Sequence, residues 1–296
     1  MKRADKTAMG VAKVRYVEYM LPEEYQLFSD PYAGQFAPIG VCIMSRMNVD
    51  KMIDGWREKA PGIYPMLVGR TRWLDDICRD AVKDGCEQLI ILGAGYDTRS
   101  IRIDELGGIP KFEIDQKEVH ELKKYGYKKL NLTEAQWANL HLVELDFNKE
   151  NVLKLADHKN FKAGVKSVVL IEGVSQYIPE SATAETLQSL KELVAPGSIV
   201  GISYVDKATF GSDEEIKENI SEDPSFIRRL LKSLPNNEQW ITSWSKDGFA
   251  SFMTNFSYEI VEDVTVEDFE ERYFTGKGRT AKPFLRTERY AKAKLV

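Results

Sequence analysis

Residues 88–99, QLIILGAGYDTR, constrain the fold more than any other stretch of this chain. The first five form a mostly apolar run of strand length, and Gly93 and Gly95 follow it closely. Glycine adopts positive φ without strain and lets a ligand approach the backbone, because it has no Cβ atom. In a doubly wound α/β sheet, ligands bind beyond the carboxyl ends of the strands. The segment therefore predicts the first strand of such a sheet, with a site for a nucleotide-type cofactor at its end.

Further apolar runs of strand length follow, and helical patterns separate them. Strands are predicted at residues 88–92, 111–114, 141–145, 167–171 and 198–204, with two more near 258–264 and 289–295. The helices expected between them cover residues 118–129, 133–138 and 182–193. Such alternation is typical of a parallel sheet with helices on both faces. We predict an α/β fold with a doubly wound, seven-stranded, mostly parallel sheet.

The first 83 residues lack the recurring strand-length runs, and helical patterns occur at residues 6–20, 49–60 and 65–83. We predict a single domain, 1–296, in which an N-terminal helical cap (1–83) precedes a Rossmann-like core (84–296). A charge-rich segment near 206–237 interrupts the pattern after the fifth strand. It is predicted to be an insertion that packs with the N-terminal helices over the site, and a simple surface loop is the alternative.

Composition narrows the class of protein and its partners. A net charge of −5 gives no global attraction to nucleic acid or to an anionic membrane. Three cysteines without C-x-x-C spacing argue against a disulfide framework and a zinc site, so no metal is expected. The N-terminus lacks the apolar run of a signal peptide, and no stretch reaches the ~18 apolar residues of a membrane span. These features predict a soluble cytoplasmic protein with no membrane partner, and make a nucleic acid partner improbable.

An acidic residue, Asp115, ends the second predicted strand about twenty residues after Gly95, the spacing of a strand–turn–helix–strand unit. A carboxylate there can accept hydrogen bonds from both hydroxyls of a ribose. Glu113 is the alternative on the same face, but Asp115 lies nearer the strand end and is preferred. A solvent-exposed aspartate without a role is the remaining interpretation.

The turn itself distinguishes between cofactors. Dinucleotide motifs place a third glycine where this chain has Thr98, at the point where a helix N-terminus receives pyrophosphate. Asp97 would also repel a diphosphate. S-adenosylmethionine has no phosphate and carries a positive sulfonium, so an acidic turn suits it. The pattern favours a methyltransferase over a nicotinamide-dependent oxidoreductase.

Two more strand ends carry acids. Asp146 and Phe147 follow the third strand and suit the adenine amino group and the face of the adenine ring. Glu172 follows the fourth strand. It is expected near the methionine ammonium of the cofactor or near a guanidinium that binds the cofactor carboxylate. Acids at three successive strand ends therefore strengthen the prediction of an S-adenosylmethionine site.

Five segments together resemble the leucine carboxyl methyltransferase family of S-adenosylmethionine-dependent O-methyltransferases. They are 29–33 (SDPYA), 69–76 (GRTRWLDD), 92–99 (LGAGYDTR), 112–116 (FEIDQ) and 171–179 (IEGVSQYIP). The resemblance implies the Rossmann-like fold of class I methyltransferases. It also implies that Arg70 pairs with the methionine carboxylate. The alternatives are that Arg72 makes this contact, or that Arg70 is an exposed helix residue without a role.

The resemblance assigns the remaining cofactor contacts to the turn and to the strand ends. Gly93 would lie under the methionine and ribose, within a turn that also contains Ala94 and Gly95. The other implied contacts are Asp115 at the ribose, Asp146 and Phe147 at the adenine, and Glu172 at the methionine end.

The methyl acceptor has no motif of its own from Asp206 onward. The family includes enzymes for a protein C-terminal carboxylate, for modified tRNA and for small molecules, and we predict O-methylation of a carboxylate or hydroxyl on a small molecule or protein. A carboxylate is ionised at neutral pH and needs no general base, whereas a hydroxyl usually does. No histidine lies at the carboxyl end of a strand, so no catalytic residue is assigned. Tyr177 and Tyr204 are candidates for the acceptor pocket, and a non-catalytic S-adenosylmethionine-binding protein is the alternative.

Overall fold

Seven strands form one sheet in this computed structural model, which describes residues 6–146, 150–235 and 238–296. They are β1 (Gln88–Leu92), β2 (Lys111–Asp115), β3 (Leu140–Glu144), β4 (Ser167–Ile171), β5 (Ile199–Val205), β6 (Tyr258–Val264) and β7 (Glu288–Leu295). Their order across the sheet is β3-β2-β1-β4-β5-β7-β6. Strands β1 to β5 pair in parallel, and β7 is antiparallel to both of its neighbours. The predicted α/β fold and seven-stranded, mostly parallel sheet are confirmed.

Twelve α-helices occur in the described ranges. They are α1 (Lys6–Tyr19), α2 (Ile39–Met47), α3 (Val49–Lys59), α4 (Ile63–Lys83), α5 (Arg99–Arg102), α6 (Lys117–Lys128), α7 (Glu134–Trp137), α8 (Glu180–Leu193), α9 (Asp213–Asn219), α10 (Pro224–Ser233), α11 (Lys246–Thr254) and α12 (Val266–Phe269). Within those ranges, none is both long and apolar enough to cross a membrane.

The central strands β1 and β4 lie side by side and are buried along their whole length. Their side chains alternate between two apolar clusters on opposite faces of the sheet, because successive residues of a strand point to opposite sides. Leu89 and Ile91 belong to the cluster that contains α4 residues, whereas Ile90 and Leu92 belong to the one that contains α8 residues. Burial on both faces explains why these strands are continuous apolar runs.

Helix α4 lies directly against the sheet, although the sequence placed it in the N-terminal cap. A Cβ atom added to Gly201 of β5 would lie 2.9 Å from Leu74 Cδ2 and 3.3 Å from Ile77 Cδ1. A Cβ atom on Gly69 would lie 2.4 Å from the ring of Phe269 in α12. Gly201 therefore lets α4 approach β5 closely, and Gly69 lets α12 approach α4 closely. Helix α4 forms part of the helical layer that covers one face of the sheet.

The segment near 206–237 contains two helices, α9 and α10, that the sequence analysis did not predict. Both have clear start signals. Ser212 accepts from Glu215 N while the Glu215 side chain accepts from Ser212 N, which is a capping box. Asp223 caps α10, and Pro224 occupies its first position. Asn236 and Asn237, at the end of this predicted insertion, lie outside the described residues.

Candidate functional site

The glycine turn after β1 has a backbone that only glycine adopts comfortably. Gly93 has φ +64° and Gly95 has φ +43°. A Cβ atom on Gly93 would also lie 2.4 Å from Val174 Cγ2, so a side chain there would meet both backbone strain and a steric clash. The turn thus presents bare backbone to the space beyond the carboxyl ends of the strands.

Asp115 ends β2 and fixes this turn. Its Oδ2 accepts from Gly95 N at 2.7 Å, and its Oδ1 accepts from Gln116 N at 2.7 Å. Burial raises the pKa of Asp115, although these two backbone donors partly offset the effect. Glu113, the alternative, forms a fully buried ion pair with Lys123 at 2.7 Å. The Glu113 side chain thus lies in the protein interior, and Asp115 is the acidic residue at the end of β2.

Arg70 of α4 is buried and paired with two carboxylates from distant parts of the chain. Its Nε donates to Glu172 Oε1 at 2.8 Å, and its Nη1 donates to Glu288 Oε2 at 2.7 Å. Its Nη2 donates to none of the described residues, which leaves one side of the planar guanidinium for a ligand. Arg72, the local alternative, lies on another face, where it pairs with Asp76 at 3.0 Å and is one-third exposed. Arg70 is therefore the arginine at this site.

Glu172, just after β4, lies between two guanidinium groups. Its Oε2 accepts from Arg99 Nη1 at 2.6 Å, while Oε1 accepts from Arg70. Burial alone would raise the pKa of Glu172, but the charges of Arg99 and Arg70 outweigh it and hold the pKa below its usual range. Glu172 therefore stays ionised and fixes the position of Arg70.

Arg99 also compensates the acidic residue of the turn. It is fully buried and forms ion pairs with Asp97 and, at 2.8 Å, with Asp75. Burial would raise the pKa of Asp97, but Arg99, followed by Arg15, holds it well below its usual range. Asp97 is thus an ionised but neutralised residue. Its negative charge repels a diphosphate less than the sequence alone indicated.

These groups surround a cavity of about 890 Å³, within the range of small-molecule and cofactor sites. Residues of α1, in the N-terminal segment, and of α10, in the 206–237 segment, line it together with the strand ends. Seven of the predicted site residues line this cavity: Arg70, Gly93, Ala94, Gly95, Asp115, Glu172 and Tyr177.

The other three predicted site residues are Asp146, Phe147 and Tyr204. Asp146 follows β3 in a half-buried loop and is not among the described residues that line the cavity. Phe147 lies outside the described residues. Tyr204 is fully buried, donates to Asp263 Oδ2 at 2.6 Å and stacks on Phe249 at 3.9 Å between ring centroids. The structure thus places Tyr204 in the core rather than in the cavity, because its side chain points to the apolar face of β5.

Glu288, Gln176 and Lys13 are among the cavity residues that the sequence analysis missed. Glu288 begins β7, far along the chain from Arg70, and no local pattern indicates their pairing. Gln176 lies within segment 171–179, is 2% exposed, and has an Oε1 atom that no described residue donates to. Lys13 of α1 lines the cavity beside Trp56, with its Nζ 4.6 Å from the centre of that ring.

The strand order and the position of the cavity define a Rossmann-like fold whose ligand site lies at the topological switch point. This is the fold class of the methyltransferases. A family model described as leucine carboxyl methyltransferase matches residues 8–191, and the chain belongs to this family.

Two relatives agree with this assignment, and one solved structure agrees with the fold. Proteins of Frankia alni and Mycolicibacterium gilvum, both named as S-adenosyl-L-methionine-dependent methyltransferases, are each 31% identical, over 202 and 225 residues. The alignments cover 67% and 73% of this chain, and 67% and 72% of those proteins. A DUF574-family protein of Streptomyces avermitilis superposes with a TM-score of 0.59 at 12% identity over 96% of this chain and 97% of its own, which bears on the fold alone.

The family assignment confirms the resemblance drawn from the five sequence segments. The chain is a methyltransferase, and the predicted cofactor, S-adenosylmethionine, agrees with the names of its relatives. The nicotinamide-dependent oxidoreductase considered from the sequence is set aside on the same ground.

Proposed function

We propose that this protein transfers a methyl group from S-adenosylmethionine to an oxygen of a carboxylate or hydroxyl acceptor, which is a small molecule or a protein carboxylate. The observation that carries the proposal is the convergence of the glycine turn, Asp115 and the Arg70–Glu172 pair on one cavity. Each of these groups matches one part of the cofactor.

The residues present fit this cofactor in shape and charge. Gly93 leaves room for a ligand where a Cβ would intrude, and Asp115 is an acceptor for the ribose hydroxyls. Arg70 has Nη2 available for the methionine carboxylate, and Glu172 and Glu288 hold its guanidinium in place. Asp146 and Phe147 remain the proposed adenine contacts.

The ionisable groups around the cavity favour a carboxylate over a hydroxyl as the acceptor. When bound, S-adenosylmethionine supplies a methyl group on a sulfonium, which the acceptor displaces in line. A carboxylate is already ionised at neutral pH, with a reference pKa of ~4, so the protein need only align it and exclude water. None of the described residues that line the cavity is a histidine. Burial raises the pKa of Tyr177, so this phenol stays protonated and can donate a hydrogen bond rather than act as a base.

His120, His141 and His158 are engaged away from the cavity. The buried His120 has its Nε2 2.9 Å from Val143 O, and the rings of His141 and His158 lie 4.7 Å apart beside Phe112. We therefore propose that catalysis depends on orientation of the acceptor and exclusion of water rather than on a general base.

The experiment uses S-adenosylmethionine with a tritiated methyl group and a panel of carboxylic acids paired with the corresponding alcohols. Mild alkali releases volatile methanol from a methyl ester but not from a methyl ether or a methylamine. We expect methyl transfer to at least one acid, with alkali-labile label, and less transfer by Asp115→Ala protein at a limiting concentration of S-adenosylmethionine. Alkali-stable label as the sole product would contradict carboxylate methylation and indicate a hydroxyl or nitrogen acceptor.

A further inference from the structure

One side of the cavity, formed by α1, α3 and α4, combines a lysine with apolar side chains. Lys13 and Trp56 line it together with Ile63, Leu67 and Leu285. Neither Lys13 nor Trp56 belongs to the glycine turn, to the strand ends or to the charged groups around Arg70. This side is therefore available to bind something other than the cofactor.

Lys13 differs from the other basic residues around the cavity in having no carboxylate partner. Three basic side chains line the cavity within the described ranges. Arg15 pairs with Asp30 at 2.9 Å, and Arg70 pairs with Glu172 and Glu288. Lys13, by contrast, has no carboxylate within 4.0 Å among the residues that the structure describes. Its charge is thus free to bind an anion.

Lys13 is held at this position by an aromatic contact rather than by an ion pair. Its Nζ lies 4.6 Å from the centre of the Trp56 ring, within the range of a cation–π interaction. Trp56 is itself stacked on Tyr64, with ring centroids 5.3 Å apart. The ammonium is therefore positioned at the cavity wall before any ligand arrives.

Partial burial of Lys13 leaves part of its charge poorly solvated. Burial lowers the pKa of Lys13, and no neighbouring carboxylate offsets this effect. An anion bound next to the ammonium would stabilise the charged form. The lysine thus has an electrostatic reason to bind a negatively charged group.

We propose that Lys13 binds an anionic group of the methyl acceptor, and that the acceptor is an organic anion with an apolar body. The body packs on Ile63, Leu67 and Leu285, and Leu230 and Leu234 contribute further apolar surface to the same cavity. The identification of this anion as the acceptor rests on the proposed function. Lys13 is then the residue that selects anionic over neutral acceptors.

Two fluorescent probes of nearly the same shape test the subsite. 8-Anilino-1-naphthalenesulfonate and N-phenyl-1-naphthylamine share an aromatic body, but only the first carries a negative charge. Titrations are run in the presence of saturating S-adenosylhomocysteine, whose own binding is first measured by calorimetry. Lys13→Met should weaken the sulfonate about tenfold, the size of losing one charge-assisted hydrogen bond, and should change the neutral probe less than twofold. Lys13→Arg should retain most of the affinity for the sulfonate.

The control is Lys51→Met, which removes an exposed lysine from α3 and should change neither probe. Equal weakening of both probes by Lys13→Met, an unchanged affinity for the sulfonate, or no binding of the sulfonate by the wild type would each overturn the proposal. A loss of affinity for S-adenosylmethionine in Lys13→Met would also overturn it, by assigning the lysine to the cofactor. Failure of the proposed function can be distinguished from failure of the Lys13 proposal. In the first case the wild type itself would not bind S-adenosylmethionine or S-adenosylhomocysteine. The probe titrations would then be run without either compound.

Discussion

Asp115 has two roles at the scale of the single residue. Both of its oxygens accept backbone hydrogen bonds, from Gly95 and from Gln116, so the carboxylate holds the glycine turn as well as facing the cavity. A carboxylate oxygen has a second lone pair, which leaves capacity for ribose hydroxyls. The same side chain therefore holds the glycine turn and, in the proposed site, remains able to accept from the ribose.

Replacing Asp115 with alanine should weaken S-adenosylmethionine binding by about 1.5–3 kcal/mol, the usual worth of hydrogen bonds to a charged group. Calorimetric titration measures the loss. Asp84→Ala, which removes an exposed aspartate at the end of α4, is the matched control and should bind normally. Unchanged affinity in Asp115→Ala would refute the ribose assignment.

Cofactor affinity should also depend on the ionisation of Asp115. Burial raises its pKa above the ordinary aspartate value of ~3.9, and only the ionised form accepts from both hydroxyls. The affinity for S-adenosylmethionine is therefore expected to be constant at pH values above this raised pKa and to fall as the pH drops through it. The fall should occur at a higher pH than the titration of an exposed aspartate. Titrations across the acidic range measure this. Asp115→Asn should bind more weakly but lack this fall, and an identical pH profile in that variant would assign the titration to another group.

Arg70 and Arg72 allow a comparison of two arginines on one helix. Arg70→Lys should bind S-adenosylmethionine at least about tenfold more weakly, because an ammonium cannot reproduce contacts to two carboxylates and a ligand at once. Arg72→Lys should bind normally, since Arg72 pairs with Asp76 at 3.0 Å away from the cavity. The reverse result would assign the contact with the methionine carboxylate to Arg72 instead of Arg70.

Local sequence patterns alone predicted residues of the site only where these follow a strand end or a turn, and Arg70 was indicated by the family resemblance instead. Asp115, Glu172 and Gly93 are adjacent to apolar runs, so the chain itself indicates their position. Glu288 contacts Arg70 across 218 residues of sequence, and that contact depends on the antiparallel placement of β7 beside β5. Tyr204 follows the same strand-end pattern, yet its side chain lies in the core, because the pattern does not specify which face a residue occupies.

At the scale of elements, close packing of helix α4 depends on the absence of a side chain at Gly69. A Cβ there would lie 2.4 Å from the ring of Phe269, which is fully buried and has no room to move aside. The same glycine lies in a helix interior, where alanine is otherwise favoured by up to ~1 kcal/mol. The steric cost and the helix preference therefore oppose each other at this position.

Gly69→Ala should lower the free energy of unfolding by about 1–2 kcal/mol, because overpacking a well-filled interior typically costs ~1–3 kcal/mol and outweighs the gain in helix preference. Gly55→Ala in α3 is the matched control, since its Cβ would meet nothing within 4 Å. That control should be neutral or more stable. Urea denaturation of both variants measures the difference, and a stabilised Gly69→Ala would contradict the described packing.

The predicted strands and helices match the structure to within two residues at each end, whereas α9 and α10 were missed. Strand β1 matches residue for residue, and β2 extends one residue further, to include Asp115. Helix α10 has apolar residues at helical spacing, Phe226, Ile227, Leu230 and Leu231, and both helices begin at capping residues. The charge-rich sequence and the prolines around them favoured an irregular segment instead.

At the scale of the whole molecule, the cavity forms because segments far apart in sequence meet at one end of the sheet. Residues of α1 and α10 line it along with the ends of β1, β2 and β4. The side chain of Thr7 in α1 donates to the side chain of Glu238, which follows α10 in sequence. This hydrogen bond joins the N-terminal helix directly to the chain that follows α10. The sequence indicated that both segments lie near the site, but the particular contacts depend on tertiary packing.

The most direct test of this account is calorimetric titration of the wild-type protein with S-adenosylmethionine, S-adenosylhomocysteine and NADH. We expect saturable binding of the first two at one site per chain and no binding of NADH, because the cavity presents Asp115 and Arg70 but lacks the third glycine of a pyrophosphate turn. Binding of NADH with no response to S-adenosylmethionine would contradict the assignment of the site.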